Sequence, residues 1–481
     1  MRQTMLIDLD LGRPPDPNPA RRRLLGAALV LVGLALAWSV LALSGVSGAR
    51  AYRSAAVGQP LVEATHLPPL LTTAGDRLDS LRYDISCTTP GTDVDQACDV
   101  GGTVYVRQGQ SGPFTPVELR LDAAADAGRY VATLPAALGA SPSGFSYYAV
   151  IRDRVSGATT TLPAGGAAAP QRSLRLANPV VVDLGSHRFG ATTAPSARAA
   201  TAAWGDGTAN VGLEEGAAQL APIGASSFDV DSARNVTVLD EAHRRLLEFT
   251  SAGPRVARAV PVAVQGTIAD LALQDDGNTY VLESVGDPGS TPLIRRFDSA
   301  GQTTGTWHTS DPGASALRHD ATGLQVLQYP ASQWMPVATG GTPDLVGSQR
   351  AGGRPGRAIA GGLELVSQRE GDEARIAVVG PRGILRSWAL RSDTPLAEIQ
   401  LVEPHGPDVV AVLRTYSDTR AEFVVLDLGQ RGVVRQLSIS AADFAETAPF
   451  ARFRLVGSAL YHLGSTPSEM FVDRYNLEVT G

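Results

Sequence analysis

From residue 79 onward, apolar and polar residues alternate with a period of two, in short runs bounded by Gly, Pro, Asp or Ser. Short alternating runs between turn-forming residues are typical of antiparallel sheets. The runs nearest the N-terminal end of this region are 81–87, 102–109, 115–122, 128–135, 144–153, 158–163 and 171–177. Their spacing predicts an antiparallel β-sandwich over residues 79–178.

A longer pattern comes next along the chain, in which whole groups of strands repeat. The stretch FDVDSARNVTVLDEAHRRLLEFTSAG, beginning at Phe228, returns as LALQDDGNTYVLES and LIRRFDSAG, ending at Gly301. One apolar landmark can be chosen in each of six successive units: Val238, Val281, Val326, Leu365, Val412 and Leu460. Their spacings are 39 to 48 residues. Repeats of this length, with two to four short strands in each, predict a β-propeller. Six units predict six blades over residues 200–481.

A propeller needs repetition because one blade cannot bury both of its faces alone. Stacked in a ring, the blades cover one another and leave only short, protected sheet edges. The segment 199–216 begins with a short apolar run and precedes the first unit. We expect it to supply a strand that closes the ring by pairing with the C-terminal FVDRYNLE.

Two stretches also resemble known families. VTVLDEAHRRLLEFTSAG resembles the NHL-type propeller repeat: Asp240, Arg244 and Gly253 match, while His243 stands where that family prefers Asn. This resemblance implies a six-bladed propeller, and related propellers include protein-binding and RNA-binding modules, metal-dependent lactonases and an amidating lyase. SYYAVIRDRVSGATTTLP is similar to the immunoglobulin-like and fibronectin type III-like modules of bacterial surface proteins, which implies a spacer or docking role for residues 79–178.

The N-terminal part has one long apolar run. No charged residue lies between Arg23 and Arg50, and about 20 apolar residues suffice to cross a bilayer. The pattern predicts a cytoplasmic tail at 1–20, a transmembrane helix at 21–49, and linkers at 50–78 and 179–199. Arg21, Arg22 and Arg23 favour a cytoplasmic N-terminus and an extracytoplasmic C-terminal part. The alternative is a signal peptide cleaved after Ser47-Gly48-Ala49, which would release a secreted protein.

Composition narrows the classes of function. All 41 basic residues are arginine, which excludes Schiff-base chemistry and a P-loop lysine. The abundance of Ala, Gly, Pro and Arg is typical of a GC-rich bacterial genome. The formal net charge is -7, and no basic run recurs outside the N-terminal segment, so we expect no nucleic-acid partner. The two cysteines, Cys87 and Cys98, flank a turn-rich loop and are predicted to form a disulfide, which suits an oxidising compartment.

Candidate chemistry is sparse. The seven histidines show no metal-ligand spacing, and no Gly-x-Ser-x-Gly motif is present. A divalent metal in the central channel would need ligands from several blades, and the candidates are Asp229, Asp270, His319 and Asp408. No other cofactor is expected.

These observations favour an all-β, membrane-anchored protein with a transmembrane helix, an immunoglobulin-like sandwich and a six-bladed propeller. Binding is favoured over catalysis: we expect the propeller to recognise an envelope protein, a glycan or a small ligand outside the cytoplasm. The alternative is a metal-dependent propeller hydrolase or lyase acting in the same compartment.

Overall fold

The computed structural model describes residues 49–51, 61–76, 78–88, 95–96, 99–122, 128–155, 157–163, 165–216, 221–264, 266–284, 292–309, 314–328, 333–337, 356–448 and 451–478. Residues Ser47–Gly481 belong to one compact unit, and residues 1–46 lie outside the described ranges. The predicted transmembrane helix and its three arginines fall almost wholly outside the described residues, so they remain predictions. No helix in the described ranges has the length and hydropathy that crossing a bilayer requires.

Strands dominate the described residues from the start. The N-terminal β domain contains β1 (Ala49–Ala51), β2 (Leu61–His66), β3 (Leu71–Thr72), β4 (Ser80–Thr88), β5 (Asp95–Gln96), β6 (Val100–Gln108), β7 (Thr115–Leu121), β8 (Arg129–Thr133), β9 (Phe145–Asp153), β10 (Thr159–Leu162) and β11 (Gln171–Arg175). A one-turn helix, α1 (Ala136–Gly139), and a 3-10 turn (Gly166–Ala168) complete it. Each of the seven predicted runs overlaps one of these strands.

The sheet of this domain runs in the order β1-β2-β4-β8-β7-β6-β9-β11-β3, with β5 and β10 paired at its side. Its inward positions form one apolar core that includes Tyr83, Tyr147 and Ile151. The segment 50–78, predicted as a linker, contains β2 and β3. All of β2 pairs with β4, and Val62 and Ala64 are buried. Its alternation is too short to stand out from the Pro-rich residues after it.

Six further sheets form the blades of a propeller. The strands are β14 (Ser227–Val230), β15 (Val236–Asp240), β16 (Arg245–Phe249) and β17 (Val256–Pro261) in blade 1; β18 (Thr267–Leu273), β19 (Thr279–Ser284), β20 (Leu293–Phe297) and β21 (Thr303–His308) in blade 2; β22 (Ala314–Asp320), β23 (Gly323–Gln328) and β24 (Gln333–Pro336) in blade 3; β25 (Arg357–Ile359), β26 (Leu363–Glu370), β27 (Glu373–Gly380) and β28 (Gly383–Arg391) in blade 4; β29 (Leu396–His405), β30 (Asp408–Tyr416), β31 (Ala421–Gly429) and β32 (Gly432–Ser440) in blade 5; and β33 (Phe453–Val456), β34 (Ala459–Ser465) and β35 (Glu469–Asn476) in blade 6.

The six-bladed propeller predicted from the repeat is confirmed. Every landmark residue lies in the second strand of its own blade, namely β15, β19, β23, β26, β30 and β34. Each is buried, in an apolar core that its blade shares with an adjacent blade. The repeat in the sequence is therefore the repeat of one buried strand position.

Ring closure also agrees with the prediction. Strand β13 (Ala197–Ala203) pairs antiparallel with β35, from Ala197 opposite Arg474 to Ala203 opposite Glu469. Blade 6 therefore joins a strand from before blade 1 to three strands from the C-terminal end. Closure of this kind ties the two ends of the ring together with backbone hydrogen bonds.

The segment 179–199, predicted as a linker, is bound along the propeller edge. Strand β12 (Val180–Asp183) adds to blade 4 as a parallel partner of β28. Beyond it, the Thr193 amide donates to the Ser438 carbonyl of blade 5. This strap connects blades 4, 5 and 6 before β13 enters the last of them.

Apolar clusters lie between most adjacent blades, but the contact of blade 3 with blade 4 is polar in the described ranges. There Gln325 donates to the Ala358 carbonyl and accepts from the Ala358 amide. One face of blade 4 packs against blade 5. The opposite face packs against the N-terminal β domain, in a cluster of Leu70, Leu71, Leu174, Leu176, Val366, Ala377 and Val379.

Polar contacts strengthen this docking. Arg375 of β27 donates to both carboxylate oxygens of Asp76, at 2.5 and 2.8 Å, and to the Leu71 carbonyl at 2.9 Å. Burial alone would raise the pKa of Asp76, but hydrogen bonds from Arg375 and Thr73 bring that pKa below its ordinary value. The N-terminal domain is thus fastened to blade 4 and is not a freely hinged spacer.

Candidate functional site

The first strand of each blade is the innermost strand, and each contributes one charged residue to the centre of the ring. These six residues, the channel network, are Asp229, Asp270, Arg318, Arg357, Glu403 and Arg454, in the order of the blades. They comprise three carboxylates and three guanidinium groups, so their charges balance.

Asp270 holds one half of the network together. Its Oδ1 accepts from Arg454 Nη2 and from Ser227 Oγ, both at 2.6 Å. Its Oδ2 accepts from the Leu317 amide at 2.7 Å and lies 3.3 Å from Arg318 Nη1. Arg454 also pairs with Asp229, with 3.3 Å between Nε and Oδ1. Residues from blades 1, 2, 3 and 6 therefore meet at one buried carboxylate.

Glu403 holds the other half. Its carboxylate binds Arg357 of blade 4, and its Oε1 lies 3.5 Å from Arg318 Nε of blade 3. Arg357 also donates to Asp320 Oδ2 at 2.6 Å. Two pairs, Arg318 with Glu403 and Arg454 with Asp270, skip a blade and so extend across the interior of the ring. Where these six side chains meet, paired charges fill the channel.

Burial sets the electrostatics of the network. It raises the pKa of Asp229, while the nearby Arg454 acts in the opposite direction. Burial, followed by repulsion from Arg454, lowers the pKa of Arg318 to about 10. For Arg454, burial is outweighed by Asp270 and Asp229, which raise its pKa. Arg318 and Arg454 thus stay charged at neutral pH, and each of the three arginines has carboxylate partners.

The four metal candidates do not converge. Asp229 and Asp270 belong to the channel network, where arginines occupy the space that a cation would need. His319 follows Arg318 on β22 and therefore points to the other face, where its ring lies 6.1 Å from that of Tyr280. Asp408 begins β30 and is paired with His405 across a tight turn. Within the described ranges, no three His, Cys, Asp or Glu side chains are grouped to hold a metal ion.

The residues present therefore do not fit a divalent cation at the axis. A cation there would have to displace guanidinium groups already bonded to the available carboxylates. The network supports a structural role instead: it joins all six blades through charge-assisted hydrogen bonds.

Sequence inspection missed four of the six network residues: Arg318, Arg357, Glu403 and Arg454. A signal is present, because every network residue lies 6 to 11 residues before the landmark of its own blade. The signs of the charges vary from blade to blade, so no single letter marks the position. Only the folded ring shows that these residues meet.

The NHL-like motif makes a second polar cluster, outside the channel. Asp240 is buried and accepts from Arg245 Nε at 2.8 Å and from the Gly212 amide at 3.0 Å; its Oδ2 lies 2.8 Å from His243 Nδ1. The resemblance to the NHL repeat implies that Arg244 is the arginine of the motif. Arg244 instead occupies the turn with a φ of 52°, and Arg245 makes the pair with Asp240. In blade 2, Arg295 donates to Glu283 in the same way.

The predicted disulfide is only half within the described ranges. Cys87 lies in β4 and is buried. Cys98 lies outside the described residues, so the pairing stays a prediction.

No protein-family model matches the chain, and neither does any curated protein sequence. Similar solved structures include a Bacteroides fragilis protein described as exported, with 8% identity and a TM-score of 0.35, covering 62% of this chain and 100% of that one. Virginiamycin B lyase from Staphylococcus aureus has 10% identity and a TM-score of 0.30, covering 53% and 85%. A luciferin-regenerating enzyme has 10% identity and a TM-score of 0.34, covering 56% and 96%. Likenesses this remote carry no argument about activity.

Proposed function

We propose that this chain is a membrane-anchored, extracytoplasmic binding protein whose propeller recognises an envelope protein or a glycan. The observation that carries the proposal is the channel network. Because paired charges fill the axis, ligand recognition is left to the loops and faces of the ring.

The proposed attachment to the membrane rests on the sequence. The uncharged run between Arg23 and Arg50 has the length of a bilayer-spanning helix, and Arg21 to Arg23 favour export of the residues C-terminal to that run. In this proposal the N-terminal domain is an immunoglobulin-like or fibronectin type III-like sandwich. The strand orders β2-β4-β8 and β6-β9-β11, in which β4 and β9 are the middle strands, support that identity. The Asp240–Arg245 and Glu283–Arg295 pairs likewise support an NHL-like propeller.

A groove of about 570 Å³ beside blade 5 is the proposed binding site. Its lining includes Thr192, Tyr416, Ser417, Thr419, Arg420 and Ser440. Tyr416 is 43% exposed, and Arg420 has no carboxylate within 4.0 Å in the described part of the chain. An exposed aromatic ring and an unneutralised guanidinium are the groups that dominate binding energy at many interfaces.

The groove is built on a rigid base. Glu422 is buried at its floor, where its carboxylate accepts from the Gly190 amide at 2.6 Å and lies 2.8 Å from His187 Nε2. Gly190 adopts a φ of 93°, and a Cβ there would come within 2.6 Å of Arg420 Nη1. Glycine at this position therefore lets the strap pass close beneath Arg420.

Affinity purification of the full chain from its native membranes, after cross-linking, tests the proposal. We expect a stoichiometric protein or glycan partner with the unchanged chain and with Arg120→Gln, a matched change at an exposed arginine of the N-terminal domain. The same partner should be lost with Tyr416→Ala combined with Arg420→Gln. Retention by that double variant would exclude the groove as the binding site, and recovery of no partner by any variant would contradict a binding function.

A further inference from the structure

Blades 4 and 5 share a local repeat that lies outside both the channel network and the groove. GPRGILR at 380–386 and GQRGVVR at 429–435 occupy the turn from the third to the fourth strand of each blade. Gly383 and Gly432 adopt φ values of 127° and 126°, and a β-bulge adjoins each turn. The two turns therefore have the same conformation in adjacent blades.

Each turn holds an aliphatic side chain out into solvent. Leu385 is 58% exposed and Val434 is 52% exposed. Each side chain lies over a glycine: an added Cβ would be 3.2 Å from Leu385 Cδ1 at Gly380 and 2.6 Å from Val434 Cγ2 at Gly429. Glycine at positions 380 and 429 therefore leaves room for these two side chains.

Two arginines flank the aliphatic residue in each turn. We call the resulting surface the basic rim; it consists of Arg382, Leu385, Arg386, Arg431, Val434 and Arg435. Arg386 donates to the Pro407 carbonyl, and Arg435 donates to the Glu478 carbonyl at 2.8 Å. None of the four arginines has a carboxylate within 4.0 Å among the residues described. The rim therefore carries a net positive charge, although Asp408 lies beside Gly429 and Asp427 interacts with Arg435 at longer range.

The same face of the ring is acidic on the opposite side. The first and third strands of every blade run in the same direction, so their turns share one face. In blade 2, which lies opposite blade 5, these turns carry Asp275, Asp276 and Asp298. The net charge of -7 is thus distributed unevenly, and an anionic surface would be attracted to the rim and repelled by blade 2.

We propose that the basic rim lies on an anionic phospholipid surface. Arginines that alternate with protruding aliphatic side chains match a bilayer interface, where anionic headgroups cover hydrocarbon. An acidic protein surface would offer the charge without a fluid apolar layer to accept Leu385 and Val434. This contact goes beyond the proposed function, because it orients the propeller whether or not the groove binds a partner.

Hydrogen exchange of the full chain in lipid nanodiscs tests the proposal. The discs contain phosphatidylcholine alone or mixed with phosphatidylglycerol. We expect the amides of 380–383 and 429–432 to be protected only in the anionic discs and at low salt. The turn 274–278 of blade 2 should exchange equally in both. Arg382→Gln with Arg431→Gln should reduce the protection by up to roughly thirty-fold, about fivefold for each arginine. Arg120→Gln with Arg129→Gln, in the N-terminal domain, should leave it unchanged.

The outcomes separate the possible occupants. Equal exchange of the two turns in both lipids would overturn the proposal. Protection that does not depend on lipid composition but rises with protein concentration would indicate that a second copy of this chain covers the rim. That result would also overturn the proposal. If the chain does not co-elute with the discs, the membrane anchor fails as a prediction. Free discs added in excess then provide the same test of the rim.

Discussion

Arg454 of blade 6 donates a hydrogen bond to Asp270 of blade 2 across 2.6 Å and thereby passes over blade 1. Strand β13 closes the ring at its outer edge, whereas this contact joins the same region at the axis. Both partners are almost wholly buried, so their stabilising value depends on the pair remaining complete.

Removing one charge from this pair should be strongly destabilising. We expect Asp270→Asn to lower the free energy of unfolding by about 3–5 kcal/mol, because Arg454 and Arg318 lose a shared buried counter-charge. Urea unfolding followed by tryptophan fluorescence measures the change. Glu118→Gln, which removes an exposed partner of Arg120, serves as control and should lower it by less than about 1 kcal/mol. A similar small loss for Asp270→Asn would show that the network does not hold the blades together.

Acid should destabilise the N-terminal domain through His66. Burial lowers the pKa of His66 to about 4 from 6.5, although its Nδ1 lies 2.6 Å from the Arg82 carbonyl. The folded state thus binds a proton less readily than the unfolded state. The stabilisation that neutral His66 contributes to the folded state is complete above the unfolded pKa of 6.5. It is lost as the pH falls towards the folded pKa of about 4.

The loss over this interval should be roughly 3 kcal/mol, at about 1.4 kcal/mol for each pH unit of the pKa difference. Unfolding measured in urea at a series of pH values gives the slope. His66→Gln should flatten that slope, whereas His308→Gln, at an exposed position, should preserve it. An unchanged slope in His66→Gln would mean that other groups cause the acid sensitivity.

A second acid-sensitive group lies in blade 6. Burial, aided by Arg452, lowers the pKa of His462 to about 3, and its ring stacks on Phe453 at 4.7 Å. As with His66, the lowered pKa means that stability falls as the pH is lowered. The loss of stability continues to a lower pH, because the folded pKa of His462 is lower. His462→Phe should therefore reduce the acid sensitivity of the propeller, measured by hydrogen exchange of 453–465. Greater acid sensitivity in this variant would contradict the assignment.

The N-terminal domain should separate from blade 4 when Arg375 is changed. Arg375→Ala removes both hydrogen bonds to Asp76 and leaves that carboxylate half-buried without them. We expect the single calorimetric transition to split into two, and proteolysis to become faster in the segment that precedes β12. Arg369→Ala, on the neighbouring strand, keeps the Asp76 contact and should retain one transition. One transition in Arg375→Ala would show that the apolar cluster alone holds the domain.

Ring closure can be tested with two neighbouring alanines. Ala200 of β13 is fully buried opposite Val472, whereas Ala203 is exposed. Ala200→Gln should destabilise the propeller by roughly 2 kcal/mol or more, because it overpacks the core and buries an amide. Ala203→Gln should change stability by less than about 0.5 kcal/mol. Equal effects in urea unfolding would indicate that β13 is not packed as described.

The blades were predictable because their determinants are local. A buried second strand must be apolar in every blade, so Val238 and Val281 recur at a regular spacing, and turn residues separate the strands. The closing strand was also predictable from the order of the strands. A strand that precedes the first blade has no partner in that blade, and the last blade has a free edge with which it can pair. The strands inside the two segments predicted as linkers could not be read from the pattern. Strands β3 and β12 are only 2 and 4 residues long, and the 6 residues of β2 are followed by a Pro-rich stretch.

The amino-acid sequence by itself determined the β-rich architecture, the number of blades and the strand that closes them, since each depends on patterns repeated along the chain. The tertiary structure alone decided what the charged residues do. Asp229 and Asp270 are equally suitable as metal ligands until Arg318 and Arg454 arrive beside them from blades far along the chain. The sequence gives the sign of the charge at each position. Which residue becomes its partner depends on how the blades are arranged around the ring, and in this ring oppositely charged side chains meet at the axis.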